Sequence, residues 1–204
     1  MSDSRQVMSV VRATVGNMTD EILHLRRLSS PIGRIEVVGD GRAVTSLAIE
    51  REGVLPHDEA PESGDPVLDR AVAQLEEYFA GSRHDFDVPV DLRGTDFQRS
   101  VWEQIVQLQW GEVVSYGDLG QATGRATAGR AVGGAVGANP IPIIVPCHRV
   151  LGADGRITGY SGGEGIPTKA WLLEHEGIPH SVPGSAVGAT ATELALFDES
   201  SSAA

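Results

Sequence analysis

The sequence predicts a two-domain α/β protein, with a small N-terminal domain of a sheet plus a helix and a C-terminal winged helix-turn-helix-like domain. Three observations lead to this prediction. In the first half, strand-like runs and an Asp-Gly turn precede one amphipathic helix. In the second half, two short helices joined by a tight turn are followed by an apolar run and a glycine-bounded turn. The chain has 204 residues, enough for one or two domains.

Changes in composition predict the domain boundaries. Residues 1–20 lack a clear hydrophobic period and are predicted to form a flexible leader. Residues 21–91 form the predicted N-terminal α/β domain, and a linker at 91–94 leads into the predicted second domain at 92–178. Residues 179–204 are rich in Ser, Ala and Gly, which predicts a mobile tail.

Turn and capping signals predict the elements of the N-terminal domain. A strand-like run over residues 22–38 meets an Asp-Gly turn at 39–41, and a further strand follows over 44–49. Asp65 and Pro66 are typical of an N-cap and a first helical position. The helix that follows carries one apolar stripe, made of Val67, Leu68, Ala71, Val72, Leu75, Tyr78 and Phe79. This domain shows no catalytic signature.

Capping signals also predict the first helices of the second domain. Thr95 fits the N-cap of a helix, and Trp102 lies beside its apolar face. That face has the helical spacing 4, 4 and 3 and consists of Phe97, Val101, Ile105 and Leu108. Ser115 and Asp118 form a capping-box-like start for a short helix that ends at Gly124.

The next helix is predicted over residues 128–137, with Thr127 as its N-cap, and consists almost wholly of small residues around Arg130. Interior glycines cost a helix about 1 kcal/mol each, so this composition needs a reason. Close packing against another backbone and close approach of a bulky partner, such as a nucleic-acid backbone, are both open. The two short helices are a helix-turn-helix candidate, and their spacing alone does not establish DNA binding.

Composition limits the chemistry of the chain. Its single cysteine, Cys147, excludes an intramolecular disulfide and any multi-cysteine zinc site. The six histidines show no metal-ligand spacing, so no metal is expected. The sequence lacks a basic and apolar leader and any run of the roughly 18 apolar residues that a membrane helix needs. We therefore expect a cytoplasmic protein with no membrane partner.

The distribution of charge permits a local contact with DNA. The net charge of −12 disfavours tight non-specific binding of nucleic acid by the whole surface. Residues 119–163, however, hold four arginines and one aspartate. This part of the second domain is therefore the place where a DNA contact is expected.

The neighbours of Cys147 favour a nucleophilic thiol over a buried hydrophobic side chain. An adjacent base or cation lowers the pKa of a thiol from about 8.5, and His148 and Arg149 follow directly. On an extended chain, adjacent side chains point to opposite faces, so a bridging water or a turn at Pro146 is needed to join the thiol to the imidazole.

The imidazole also needs an orienting carboxylate. Glu176 stands at the C-terminal end of the last helix, where a carboxylate is unfavourable unless a cation is near. A protonated His148 fits that need, with His175 as the competing partner. Simple exposure of Glu176 to solvent is the alternative.

Several motifs in one order carry a resemblance to a known family. They are Thr95-Asp96-Phe97-Gln98, Val101-Trp102, Gly111-Glu112, Ser115-Tyr116-Gly117, Arg130-Ala131-Val132-Gly133, Asn139-Pro140, Pro146-Cys147-His148-Arg149-Val150, Gly159-Tyr160-Ser161-Gly162-Gly163 and the run from Lys169 to Gly177. With these motifs the sequence resembles the O6-alkylguanine-DNA alkyltransferases (methylated-DNA–protein-cysteine methyltransferases), over residues 92–178 and more loosely over 22–91.

The resemblance implies a ribonuclease H-like N-terminal domain and a C-terminal alkyltransferase domain. It implies DNA repair by irreversible, single-turnover transfer of a methyl or larger alkyl group to Cys147. The donors are O6 of guanine and O4 of thymine, and the base is flipped out of the duplex from the minor groove. The partner is double-stranded DNA carrying O6-alkylguanine, the protein acts as a monomer, and no cofactor is required.

By the same resemblance, each motif residue receives a role. His148 is the base acting through water, Glu176 holds the imidazole, Asn139 braces the turn that presents Cys147, and Tyr116 hydrogen-bonds the guanine at N3. The substrate pocket is formed by Val150, Tyr160, Ser161 and Gly162. DNA is contacted by Arg130, which inserts into the base stack, and by Thr127, Gly129 and Ala131.

Two departures from the family and two rival functions stay open. The segment 164–168 is about two residues longer than in some relatives, which leaves the accepted alkyl size open. Residues 136–138 carry no second arginine, so modest DNA affinity is expected.

One rival function is a non-catalytic sensor of alkylated DNA, against which Cys147 counts. The other is a cysteine hydrolase, which would not need Arg130.

Overall fold

The computed structural model describes residues 24–125 and 129–184. Thr127, the predicted leader at 1–20 and most of the predicted tail lie outside the described residues. None of the helices in the described ranges is long and apolar enough to cross a membrane.

Three antiparallel strands form the N-terminal sheet, in the order β1 (His24–Ser30), β2 (Gly33–Gly39) and β3 (Val44–Ile49). The single run expected over 22–38 is thus two strands in its described part, because the chain turns at Gly33, which has a φ of +101°. The Asp-Gly hairpin is confirmed. The Asp40 carboxylate accepts hydrogen bonds from the N–H groups of Arg42 and Ala43, both at 3.0 Å.

Helix α1 (Pro66–Phe79) begins where the capping signal predicts. The Asp65 carboxylate accepts from the N–H groups of Val67 and Leu68, at 2.7 and 3.1 Å. The helix packs on the sheet through its buried face, formed by Leu68, Ala71, Gln74, Leu75 and Tyr78. This packing places the last turn of α1, which carries Tyr78, beside the second domain.

The second domain is built from short elements. In chain order they are α2 (Asp96–Val106), β4 (Val114–Ser115), α3 (Tyr116–Ala122), α4 (Gly129–Gly137), β5 (Val150–Leu151) and α5 (Ile166–His175). Both predicted capping boxes are confirmed, at Thr95 with Gln98 and at Ser115 with Asp118. Gly124 follows α3 with a φ of +72°, which ends that helix as predicted. Helices α3 and α4 form the predicted helix-turn-helix pair.

The small residues of α4 are not explained by packing inside the described chain. The helix is held on its inner side, where the Trp102 indole N–H donates to the Ala135 carbonyl at 2.8 Å. Trp102 is therefore part of the core and does not merely flank the apolar face of α2. A Cβ added at the other small positions meets no atom of a neighbouring element within 4 Å, at Gly129, Gly133, Gly134 and Gly137. This open surface favours an external partner.

In the predicted winged domain, the glycine-bounded turn over residues 152–155 is expected to close an antiparallel wing hairpin, and only part of this hairpin is present. The turn exists, since the Gly152 N–H donates to the Arg156 carbonyl at 2.9 Å. The strand before it, β5, pairs in parallel with β4, and Arg156 beyond the turn bridges to Ser181. The expectation of an antiparallel ladder is thus wrong, because β5 pairs with β4 and the chain after the turn pairs with Ser181.

One hydrophobic core runs through both halves of the described chain. It joins the sheet and α1 to α2, α4 and the segment that carries Cys147. Its buried members include Ile35, Leu75, Val101 and Ile144. Residues of the N-terminal half therefore lie within reach of the second domain's site.

Candidate active site

A buried segment presents Cys147, as the apolar run predicts. Residues 141–151 are all buried, and the chain reverses at Ile143, which adopts a φ of +75°. Asn139 spans this reversal, because its side-chain N–H donates to the Val145 carbonyl at 2.8 Å and its carbonyl oxygen accepts from the Ile141 N–H at 3.0 Å. The strained reversal is therefore held by hydrogen bonds on both sides of one amide.

A turn, and not an extended chain, joins Cys147 to His148. Residues Cys147–Arg149 form one turn of 3₁₀ helix after Pro146, so the extended geometry that would separate thiol and imidazole is avoided. His148 Nε2 lies 2.8 Å from Glu176 Oε1, with both side chains fully buried. His148 Nδ1 is buried without a hydrogen-bond partner among the described residues. An Nε2–H tautomer thus leaves the Nδ1 lone pair available as a base.

Glu176 is the most heavily hydrogen-bonded carboxylate of the site. Arg149 donates from Nε to Oε2 at 2.6 Å and from Nη2 to Oε1 at 2.9 Å, and the Tyr78 hydroxyl donates to Oε1 at 2.9 Å. Burial alone raises the pKa of Glu176, but the hydrogen bonds from His148 and Arg149 outweigh it and hold that pKa at about 2. Glu176 is therefore ionised at neutral pH.

Two alternatives considered from sequence are thereby corrected. Glu176 is not exposed to solvent, with only 4% of its surface accessible. His175 does not compete for it, because the His175 ring nitrogen contacts the Tyr78 carbonyl at 2.7 Å. The main cation at the end of α5 is Arg149, since a guanidinium can pair with both carboxylate oxygens at once.

The Cys147 thiol and the His148 imidazole are both uncharged at neutral pH. Burial raises the pKa of the Cys147 thiol, against the opposing effects of Asn139, Lys169 and Tyr160. Burial lowers the pKa of His148 and outweighs the attraction of Glu176. The site therefore holds a neutral thiol next to a neutral base, and the thiolate must be formed by proton transfer.

A cavity of about 400 Å³ lies over Cys147. Of the four predicted pocket residues, Tyr160 and Ser161 line it and Val150 does not. The full lining consists of Tyr116, Gly129, Gly133, Val136, Gly137, Cys147, Thr158, Gly159, Tyr160, Ser161 and Lys169. Gly162 lies outside it, in the neighbouring groove along β3. Arg130 and Ala131 are exposed on α4 and do not line the cavity. Small residues of α4 thus form one wall, and their exposed neighbours face outward.

Lys169 is a site residue that the sequence reasoning missed. Its ammonium donates to the Val150 carbonyl at 2.6 Å, and burial lowers the pKa of Lys169 to about 8. Val150 is one of the residues that the resemblance places in the substrate pocket. A usable signal was the spacing of Lys169, Leu172 and Glu176 on one face of α5, which places a lysine among inward-facing positions.

The fold and the site together define a helix-turn-helix protein whose reactive group is a cysteine thiol. Two family models match nearly all of the described chain. The 6-O-methylguanine DNA methyltransferase ribonuclease-like domain matches residues 23–92, and the DNA binding domain of the same family matches residues 96–178. The chain belongs to the 6-O-methylguanine DNA methyltransferase family, and the predicted family and fold class are confirmed.

Relatives and solved structures agree with this assignment. The methylated-DNA–protein-cysteine methyltransferase of Mycobacterium tuberculosis (strain H37Rv) is 46% identical over 157 residues, or 76% of this chain and 93% of the relative. The enzyme of that name from Haemophilus influenzae is 38% identical, over 76% of this chain and 87% of its own. The crystal structure of Mycobacterium tuberculosis OGT in complex with DNA aligns with a TM-score of 0.67 and 46% identity, over 76% of this chain and 93% of that one.

Proposed function

We propose that this protein repairs alkylated DNA by moving the alkyl group from O6 of guanine to Cys147, irreversibly and once per molecule. The observation that carries the proposal is a lone thiol at the cavity, followed in the chain by His148. His148 Nε2 contacts Glu176, and His148 Nδ1 has no hydrogen-bond partner among the described residues, so it can accept a proton. The relatives' printed name, methylated-DNA–protein-cysteine methyltransferase, supports the same reaction. O4-alkylthymine is proposed as a second substrate, from the resemblance alone.

The reaction begins with proton transfer from the thiol. A water relays the Cys147 proton to His148 Nδ1, and ionised Glu176 stabilises the imidazolium that forms. The Cys147 sulfur then attacks the alkyl carbon, so an S–C bond forms as the bond between that carbon and O6 breaks. The product is a thioether, whose C–S bond thiol–disulfide exchange cannot cleave, so the thiol is not regenerated.

The leaving guanine must be neutralised. Burial raises the pKa of Tyr116, so its hydroxyl stays protonated and can donate to N3 of the departing base. The imidazolium then returns its proton to the tyrosinate through solvent, so in the net reaction the thiol has lost one proton and guanine has gained one. The Ser161 N–H would donate to O6, and the carbonyls of Cys147 and Val150 would accept from the exocyclic amine. Tyr160 lines the pocket and Gly162 borders it.

DNA is proposed to dock on α4 through the minor groove, with the damaged base flipped into the cavity. The support is geometric, because a Cβ at the α4 glycines would meet no neighbouring atom, and three of these glycines, Gly129, Gly133 and Gly137, line the cavity. Arg130 is exposed and would fill the space that the base leaves, with Gly129, Ala131 and Thr127 contacting the backbone. We also propose a cytoplasmic monomer with the domain division 21–91 and 92–178.

Intact-protein mass spectrometry tests the proposed reaction. Wild type incubated with an O6-methylguanine duplex is expected to gain one methyl group, mapped to Cys147 and saturating at one per protein. Cys147→Ser is expected to gain none while still shifting the duplex in a gel. An unmodified wild type that binds the alkylated duplex would favour the sensor. Repeated turnover of a model ester without methylation would favour the hydrolase.

Arg130→Ala is expected to slow transfer from a duplex about ten-fold, because unstacking a base costs a few kcal/mol that the inserted side chain offsets. Reaction with free O6-benzylguanine needs no flipping and is expected to stay within about two-fold. Single-turnover rates on both substrates check this. Arg83→Ala, an arginine paired with Glu77 in the N-terminal domain, is the control. Equal slowing on both substrates would contradict a role in flipping.

A further inference from the structure

The N-terminal domain delivers one hydroxyl to the candidate active site. Tyr78 lies in the last turn of α1, is fully buried, and donates from its hydroxyl to Glu176 Oε1 at 2.9 Å. The two residues are 98 positions apart in sequence. Burial and the charge of Glu176 raise the pKa of Tyr78, so the hydroxyl keeps its proton and acts as a donor.

Packing of the ring fixes the position of this hydroxyl. The Tyr78 ring lies 5.2 to 5.6 Å, centroid to centroid, from Phe79, Phe86 and Trp110. His175 packs against the ring at 5.1 Å and also contacts the Tyr78 carbonyl. The ring is therefore packed by contacts that do not involve the hydroxyl, and the contact with His175 joins α1 to α5. The hydroxyl itself contacts Glu176, so its effect is expected on the carboxylate.

Three donors converge on one carboxylate oxygen. Glu176 Oε1 accepts hydrogen bonds from the Tyr78 hydroxyl, from His148 Nε2 and from Arg149 Nη2. Glu176 Oε2 accepts only from Arg149 Nε. Each donor spreads the negative charge and so weakens the pull of the carboxylate on the imidazole. The other charged or titratable groups that act on His148 are Lys169 on α5 and Arg149 on its own turn.

We propose that Tyr78 is a positioning residue for alkyl transfer: its hydroxyl fixes Glu176 so that His148 is held as the neutral Nε2–H tautomer. This inference rests on the proposed function. Without the hydroxyl, Glu176 is a more basic acceptor and favours the imidazolium. Less of the neutral base is then present at a given pH, and the carboxylate is oriented by one contact fewer.

Tyr78→Phe tests the proposal because it removes the hydroxyl and keeps the ring. Single-turnover transfer from an O6-methylguanine duplex is measured across pH. The variant is expected to react about ten-fold more slowly at neutral pH, with the acid limb of its profile moved up by about half a pH unit. Phe86→Leu is the matched control, since it disturbs the same ring packing and leaves the hydroxyl in place. It is expected to lower the melting temperature and leave the acid limb unmoved.

A double variant separates positioning from stability. If Tyr78 acts through His148, then Tyr78→Phe causes no further slowing in a His148→Ala background. The inference would be overturned if Tyr78→Phe slowed transfer equally in the wild-type and His148→Ala backgrounds. It would also be overturned if the pH profile of Tyr78→Phe matched that of wild type. In both cases the proposed function still stands, because wild type transfers the methyl group. A wild type that transfers no methyl group would overturn both.

Discussion

Arg149→Met is expected to lower the free energy of unfolding by about 3–5 kcal/mol, because it leaves a buried carboxylate without its main counter-charge. Arg149 is buried and donates twice to Glu176, and a third hydrogen bond reaches the Leu108 carbonyl at 2.7 Å. Methionine matches the arginine side chain as far as Nε and removes every donor. Urea-induced unfolding at pH 7, followed by tryptophan fluorescence, measures the loss.

The double variant Arg149→Met/Glu176→Leu is the control for this prediction. It removes the unpaired charge along with its partner and is expected to regain part of the lost stability. Recovery is incomplete because Tyr78 and His148 then lose their acceptor. The unpaired buried charge would not be the cause of the Arg149→Met instability if the double variant lost as much unfolding free energy as the two single variants lose together. Alkyl transfer is expected to stay impaired in every variant that lacks Glu176.

Acid is expected to remove about 3 kcal/mol of stability through Glu176 as the pH falls from 4.5 to about 2. The folded chain holds the pKa of Glu176 at about 2, whereas the unfolded chain takes up the proton near 4.5. The unfolded state therefore binds more protons over this range, and the full contribution is present only above it. His148 acts in the same direction at higher pH, because burial lowers its pKa below 6.5.

Comparison of wild type with Glu176→Gln from pH 7 to pH 2 isolates this contribution. The gap in unfolding free energy between the two proteins is expected to narrow as the pH falls below 4.5. Glu174→Gln is the matched control, because Glu174 is an exposed carboxylate in the last turn of α5, two residues before Glu176. The unfolding free energy of Glu174→Gln is expected to stay within about 0.5 kcal/mol of that of wild type from pH 7 to pH 2. A Glu176→Gln gap that does not change with pH would refute the assignment.

Local signals predicted the elements of the fold well. Asp65, Thr95 and Ser115 cap the helices where the sequence indicates, because a cap depends on hydrogen bonds to backbone a few residues away. The β2–β3 hairpin and the end of α3 at Gly124 have the same local origin. The division of the first strand-like run and the pairing of β5 were not predicted, since strand partners are chosen over long distances.

The chemistry of the site divides in the same way. The sequence by itself determined the single thiol, its His148 neighbour, the small-residue helix and a resemblance strong enough to identify the family. Tertiary structure alone decided that Arg149 and Tyr78 share Glu176 with His148, and that Lys169 faces the cavity. These contacts join α1, the cysteine turn and α5, which only the common core brings together. Burial then shifts the pKa values, and burial is a property of the packed chain.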